Sequence, residues 1–241
     1  MIIADNLNIG YKDKIVVHDL SFTLDKGMFV ALIGANGAGK STLINSLIGV
    51  IPPVSGQIAW KLQTDRTNPF NDVGFSPQSQ LIDWYTSVYD NVYQGPLLAG
   101  FKLKDAKKAT VQALRLLAIS DLSSKPVDHI SGGQQQRVQI AREIARKPQV
   151  YILDEPTTGL DVETSESLFT YLKQRVDDGC IVFTSSHDLT LLENYASHVL
   201  FLDEHEQKYF GPLTGFLDSG TSLREKYLNE RKAVENESAK F

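Results

Sequence analysis

The sequence predicts an α/β domain built around a phosphate-binding loop, and three stretches carry that expectation. Phe29–Ile33 is five apolar residues in a row, the pattern of a strand covered on both faces. The glycine-rich stretch Gly34–Gly39 follows at once and runs into Lys40 and a helical pattern. Much later, the apolar run Val150–Leu153 closes on two acids, Asp154 and Glu155. A strand, a glycine loop and a helix in that order make half of a βαβ unit.

The other elements follow from local pattern. Met1–Ile3, Ile15–Val17 and Ser21–Leu24 read as short strands, with Lys26-Gly27 as a turn. Ser41–Val50 places Leu43, Leu47 and Val50 at helical spacing, and Pro52-Pro53 closes that helix. Short, turn-broken strands are expected from Gly56 to Phe75. Lys102–Ile119 sets Ala106, Ala109, Ala113, Leu114 and Leu117 along one side of a helix. A second helix is expected from Gly133 to Ala145, stopped by Lys147-Pro148. Val150–Leu153 and Cys180–Thr184 read as buried strands separated by a helix over Thr164–Val176, and Val199–Leu202 as a further strand. Leu223–Phe241 carries nine charges of mixed sign in 19 residues and reads as an exposed helix or frayed tail. No internal repeat appears, so a single domain is expected.

Composition narrows the function classes. At 241 residues, with 42% apolar and 22% charged, the chain can bury a core without disulfides or structural metal. A net charge of −5 argues against a broad electrostatic grip on nucleic acid, so no nucleic-acid partner is expected. Cys180 is the only cysteine, which removes any intrachain disulfide or Cys-based metal cluster. No secretory signal pattern opens the chain, and no run approaches the roughly 20 apolar residues of a membrane span. Any membrane role is therefore expected to come through a partner.

Gly34-Ala35-Asn36-Gly37-Ala38-Gly39-Lys40-Ser41 matches the pattern G-x-x-x-x-G-K-[ST]. Its glycines let successive backbone N–H groups turn inward on phosphate oxygens, backed by the N-terminus of the helix over Ser41–Val50, Thr42 included. Lys40 can reach the outer phosphates, and the Ser41 hydroxyl can hold Mg²⁺. In a parallel sheet the strand C-termini converge on such a site, which suits Asp154 to Mg²⁺ through its waters and Glu155 to general-base work on water.

With these motifs and Ser131-Gly132-Gly133-Gln134 in the same chain, the sequence resembles the ATP-binding cassette (ABC) ATPases from Met1 to about Leu217. The resemblance implies a P-loop NTPase (RecA-like) core with an N-terminal antiparallel β subdomain and an inserted helical subdomain. On that basis residues 1–219 would form the ATPase domain, 79–147 its helical subdomain and 220–241 a charged tail. It also implies roles. Tyr11 looks like the aromatic that stacks on adenine, and Gln78 like the glutamine that senses the γ-phosphate through Mg²⁺ and water. His187, after the strand over Cys180–Thr184, looks like the switch histidine that bonds the γ-phosphate. Thr158–Asp161 resembles the loop that contacts the opposite subunit. Ser131, Gly132, Gly133 and Gln134 would act in trans on ATP held by a second cassette, giving a head-to-tail homodimer or heterodimer. Two positions depart from the usual pattern: Ile130 stands where leucine is common, and Ser76 where an apolar residue is common.

A single cassette with no spanning helix implies separate integral membrane permease subunits and a place at the cytoplasmic face of the membrane. Only 89 residues separate Ser41 from Ser131, without sustained heptads, which disfavours a soluble ABC ATPase of DNA repair. Thr157–Asp161 and Ser185–Asp188 resemble exporter cassettes somewhat more than importers of a metal or small solute, so an exporter is the first expectation and an importer the alternative. Leu81-Ile82-Asp83-Trp84-Tyr85, just past Gln78, reads either as an anchor for the permease or as core of the helical region.

Overall fold

The structure, a computed structural model, describes residues 1–12, 14–62 and 72–238, with side chains described through residue 232. In chain order the strands are β1 (Ile2–Tyr11), β2 (Lys14–Leu24), β3 (Phe29–Gly34), β4 (Ser55–Trp60), β5 (Val73–Ser76), β6 (Val150–Leu153), β7 (Ile181–Ser185), β8 (His198–Asp203) and β9 (Glu206–Pro212). The helices are α1 (Lys40–Leu47), α2 (Val88–Leu98), α3 (Leu103–Leu116), α4 (Gly132–Ala145), α5 (Val162–Asp177), α6 (Leu189–Tyr195), α7 (Leu213–Phe216) and α8 (Leu223–Ser238). The chain divides into two compact units, Met1–Lys61 with Ser185–Phe241, and Leu62–Thr184.

In the first unit the strands run in the order β4-β1-β2-β9-β8-β3. β1 pairs antiparallel with β2 from Ile2↔Leu24 to Tyr11↔Lys14, and antiparallel with β4 on its other side. The short strands expected in the first thirty residues are thus two long ones. Their pattern is interrupted because the register shifts between Ala4 and Leu7 and again on either side of Ile9, so period-2 alternation does not persist. β3 pairs in parallel with β8, from Val30↔His198 to Gly34↔Leu202. Its Phe29–Ile33 are buried, as a strand covered on both faces requires. α1 is shorter than expected. The Gly49 and Val50 N–H groups turn back onto Ser46 and Asn45 carbonyls, which ends the helix and leaves Val50 exposed.

In the second unit β7, β6 and β5 lie side by side in parallel. Their register matters for chemistry. Ser76 pairs with Leu153, and Leu153 with Thr184, so Gln78 and the Asp154-Glu155 pair leave the sheet at the same end. α2, α3 and α4 pack against one another beside these strands. The expected strands over 56–75 are present as β4 and β5, while 63–71 lie outside the described residues.

Ser76, unusual as a polar residue on a buried strand, is fully buried and accepts a hydrogen bond from Gln139 Nε2 at 2.9 Å, so its hydroxyl is satisfied. The terminal segment is not a frayed tail over the described residues: α8 runs to Ser238, and its first residue, Leu223, is fully buried.

The alternative that Trp84 and Tyr85 fill the core is overturned, because Trp84 is 43% exposed and Tyr85 98% exposed. Trp84→Ala should therefore change stability by about 1 kcal/mol or less, as surface substitutions do. A thermal melt checks this, and a loss of about 3–5 kcal/mol would restore the core assignment.

Candidate ATP site

In the first unit, β3 delivers the chain to the phosphate loop and α1 carries it away. Gly39 is the N-cap of α1, at φ 100°. A Cβ there would lie 2.2 Å from Val17 Cγ2 on β2, so glycine is required twice, by its dihedral and by the strand it rests on. α1 has no side-chain cap, the form of helix start that suits an anion. Around Gly37 no heavy atom lies within 4 Å of where a Cβ would sit, so the loop opens on free space. The Lys40 ammonium arches over the loop and donates to the Gly34 and Ala35 carbonyls at 2.7 and 2.9 Å. Ala38 and Thr42 are buried beneath it, while Asn36 and Ser41 are exposed.

Two further residues expected at the site lie in this unit. His187 lies in the turn between β7 and α6, and a cavity of about 70 Å³ is lined by His187, Ser186, Lys40 and Gly34 together with Tyr227. The turn is fixed locally. Ser186 Oγ accepts from the Asp188 N–H at 3.1 Å, and Asp188 caps α6 through the Leu191 N–H at 2.9 Å. Tyr11 closes β1 with its ring 54% exposed.

The second unit holds the remaining candidates. Asp154 and Glu155 are buried at the end of β6, and the Asp154 N–H is bonded to the Ser76 carbonyl at 2.8 Å. Glu155 sits at φ 50°, a left-handed conformation uncommon outside glycine. Gln78 follows Pro77, whose carbonyl accepts from Gln139 Nε2 at 2.8 Å, while Gln139 Oε1 accepts from the Leu81 N–H. Gln139 thus grips the Gln78 loop on both sides. It was missed from sequence, although a glutamine fully buried on a helix was a usable signal once burial was known.

Ser131 caps α4 in a capping box with Gln134: its hydroxyl accepts from the Gln134 N–H at 3.3 Å, and the Gln134 side chain accepts from the Ser131 N–H at 3.0 Å. The start of α4 is held to the Thr158–Asp161 loop. A Cβ on Gly133 would fall 2.7 Å from the Gly159 carbonyl oxygen, and Gly159 itself is at φ 76°. Arg137 clasps Asp161 at 2.6 Å, and Asp161 caps α5 through the Thr164 N–H at 2.8 Å. So the Ser131–Gln134 signature turn, this loop and two helix N-termini form one braced assembly.

The ABC transporter family profile matches residues 17–158. The chain belongs to the ABC transporter ATP-binding family. The cassette is 36% identical over 215 residues to the manganese transport system ATP-binding protein MntB of Bacillus subtilis (strain 168), covering 86% of this chain and 85% of that one. It is 33% identical over 213 residues to the zinc import ATP-binding protein ZnuC of Hydrogenovibrio crunogenus, covering 85% and 80%. A solved structure described as the ATP-binding subunit of an ABC transporter superposes with a TM-score of 0.86 at 27% identity, covering 95% of this chain and 98% of that one. The cassette is accordingly an ATPase with a P-loop NTPase core that binds ATP with Mg²⁺. The oxygen donors present suit that ion: the exposed Ser41 hydroxyl in the first unit and the buried Asp154 carboxylate in the second are hard donors of the kind Mg²⁺ takes beside substrate phosphates.

Asp161 gives the assembly a pH signature. The Thr164 backbone N–H, the Thr164 hydroxyl and Arg137 hold its carboxyl down to about 2, below the ordinary 3.8. A depressed folded value means the cap and clasp are fully present above about pH 4 and fade as pH falls towards 2. Carboxyl chemical shifts followed by NMR should place the midpoint near 2, and Arg137→Ala should raise it.

Proposed function

We propose that this cassette powers import of a metal ion or another small solute through separate permease subunits, working as a head-to-tail dimer at the cytoplasmic face of the membrane. The observation that carries the direction is its similarity, over about 85% of its length, to ATP-binding proteins named for manganese transport and zinc import. The sequence leaned towards an exporter on Thr157–Asp161 and Ser185–Asp188. Those stretches brace α4 and cap α6, work that serves ATP and says nothing of cargo. No described helix is long and apolar enough to cross a membrane, which fits a cassette that borrows its permease.

The proposed chemistry is phosphoryl transfer to water by positioning and charge. Tyr11 offers an exposed ring to adenine, and the amides of Gly34–Thr42 with Lys40 hold the phosphates. Ser41 and Asp154 would hold Mg²⁺, which would supply charge neutralisation for the transferring group. Gln78 orients the water. Glu155 takes its proton as the new oxygen–phosphorus bond forms and the bond to the ADP oxygen breaks. His187 donates to the γ-phosphate, and Ser131–Gln134 of a second cassette supply donors in trans, with Asp161 facing the other subunit. Residues 79–147 form the arm towards the permease, with Trp84 and Tyr85 as its exposed aromatic anchors.

The cassette purified with its native permease and sealed into proteoliposomes tests this reading. With ATP on the cassette side, Mn²⁺ or Zn²⁺ should move towards that side. Glu155→Gln should bind ATP, remain dimeric in ATP, and lose hydrolysis and uptake together by at least about 10²-fold. Ion movement away from the cassette, or Glu155→Gln turning over at the unaltered rate, would contradict the proposal.

A further inference from the structure

Two buried amide side chains of the second unit hold the segment that runs from β5 to α2. Asn91 of α2 holds its far end. The Asn91 Oδ1 accepts from the Asp83 N–H at 3.0 Å, and its Nδ2 donates to the Asp83 carbonyl at 2.9 Å and to Thr86 Oγ1 at 2.7 Å. Gln139 of α4 holds the near end. Its Nε2 donates to Ser76 Oγ at 2.9 Å and to the Pro77 carbonyl at 2.8 Å, and its Oε1 accepts from the Leu81 N–H. A carbonyl only accepts and a backbone N–H only donates, so Pro77 and Leu81 fix which way round the Gln139 amide sits. One neutral amide meets all three partners, two as donor and one as acceptor.

These bonds reach the acids as well as the loop. The carbonyl of Ser76 accepts from the Asp154 N–H at 2.8 Å, while its hydroxyl accepts from Gln139. Gln139 therefore bonds the residue that is tied to the start of the Asp154-Glu155 pair, and it also bonds both flanks of the stretch Gln78–Gln80. We propose that Gln139 is a positioning residue for ATP hydrolysis, which sets the place of Gln78 relative to Glu155 and acts through Gln78. The proposal rests on reading Gln78 as the group that orients the attacking water.

The physical basis is an ordering cost met by folding rather than by the reaction. Gln78, Ser79 and Gln80 are exposed, and such residues in an open loop sample many backbone states. With Pro77 and Leu81 both bonded to a fully buried side chain, only these three residues are left to move. Gln80 Nε2 adds a longer contact to the Gly132 carbonyl, at 3.5 Å. Without the Gln139 amide the loop loses its bracket, and Gln78 is held less closely beside Glu155. ATP affinity rests on the phosphate loop in the first unit, so it should change little.

The test is steady-state ATP hydrolysis by the full chain carrying Gln139→Met, Gln78→Ala or both, each verified by a thermal melt to be folded at the assay temperature. Methionine keeps the length of glutamine and makes none of its three bonds. Gln139→Met should lower kcat by about fivefold or more with KM for ATP within about twofold. In a chain already carrying Gln78→Ala it should cost less than about twofold further, because the residue it acts through is gone. If Gln139→Met melts too low, Gln139→Glu, which keeps an acceptor for Leu81 and loses the donors, should show the same pattern. A folded Gln139 variant with unaltered kcat beside an impaired Gln78→Ala overturns the role of Gln139 and leaves that of Gln78, and so do losses that multiply in the double variant. A Gln78→Ala protein with unaltered kcat overturns the reading of Gln78 and the Gln139 proposal with it. Amide hydrogen exchange reads the bracket in the unaltered protein: the Leu81 N–H should exchange at least about tenfold more slowly than an open-chain amide, and exchange at the open-chain rate would overturn the proposal.

Discussion

The close approach of the phosphate loop to strand β2 is the constraint on which the first unit depends. Gly39 presses so near Val17 that any side chain would collide, and its left-handed backbone starts α1 without a side-chain cap. That arrangement sets the uncapped start of α1 beside a loop that is open around Gly37. A glycine-rich loop held in left-handed conformations is costly to order. Buried Phe29–Ile33 of β3 meet that cost by anchoring the loop at its root, and the parallel pairing of β3 with β8 fixes the anchor.

The second unit answers a different need, which is to hold several chemically distinct groups at one sheet end. Matching registers bring the ends of β5 and β6 level, so Gln78 and Glu155 leave together. Gln139 clamps the loop after β5 by bonding to Ser76, Pro77 and Leu81. The Gly133–Gly159 contact and the Arg137–Asp161 pair then fasten the signature turn to the loop after Glu155. A buried polar residue such as Ser76 is tolerated here because its hydrogen bond is made, and the same bond organises the site.

Much of this was legible in the sequence wherever one residue class dominated a stretch. β3, β6 and the helices over 103–116 and 132–145 announced themselves by unbroken apolar runs or helical spacing, and the phosphate-loop, signature and Asp154-Glu155 motifs fell on them. The misses have physical causes. β9 is a half-exposed strand of mixed polarity, so its pairing with β8 outweighs a weak local signal. α2 contains Gly95-Pro96, which reads as a break, yet the helix continues through it. The docking of α8 depends on Leu223 and Tyr227, two residues in a charged segment, and on a carboxylate 30 positions away. The lean towards an exporter rested on Thr157–Asp161 and Ser185–Asp188, stretches that brace α4 and cap α6 and carry no mark of cargo, whereas the named relatives favour an importer.

The claim beneath all of this is that Lys40 and the loop it arches over form the nucleotide's phosphate site. Calorimetric titration of MgATP into the unaltered cassette and into Lys40→Ala measures it directly. Saturable binding by the first, and affinity weaker by at least about tenfold in the second, is the result the structure predicts, since a lysine ammonium on phosphate is a charge-assisted contact. Equal affinity in the two proteins, with both folded, would contradict it.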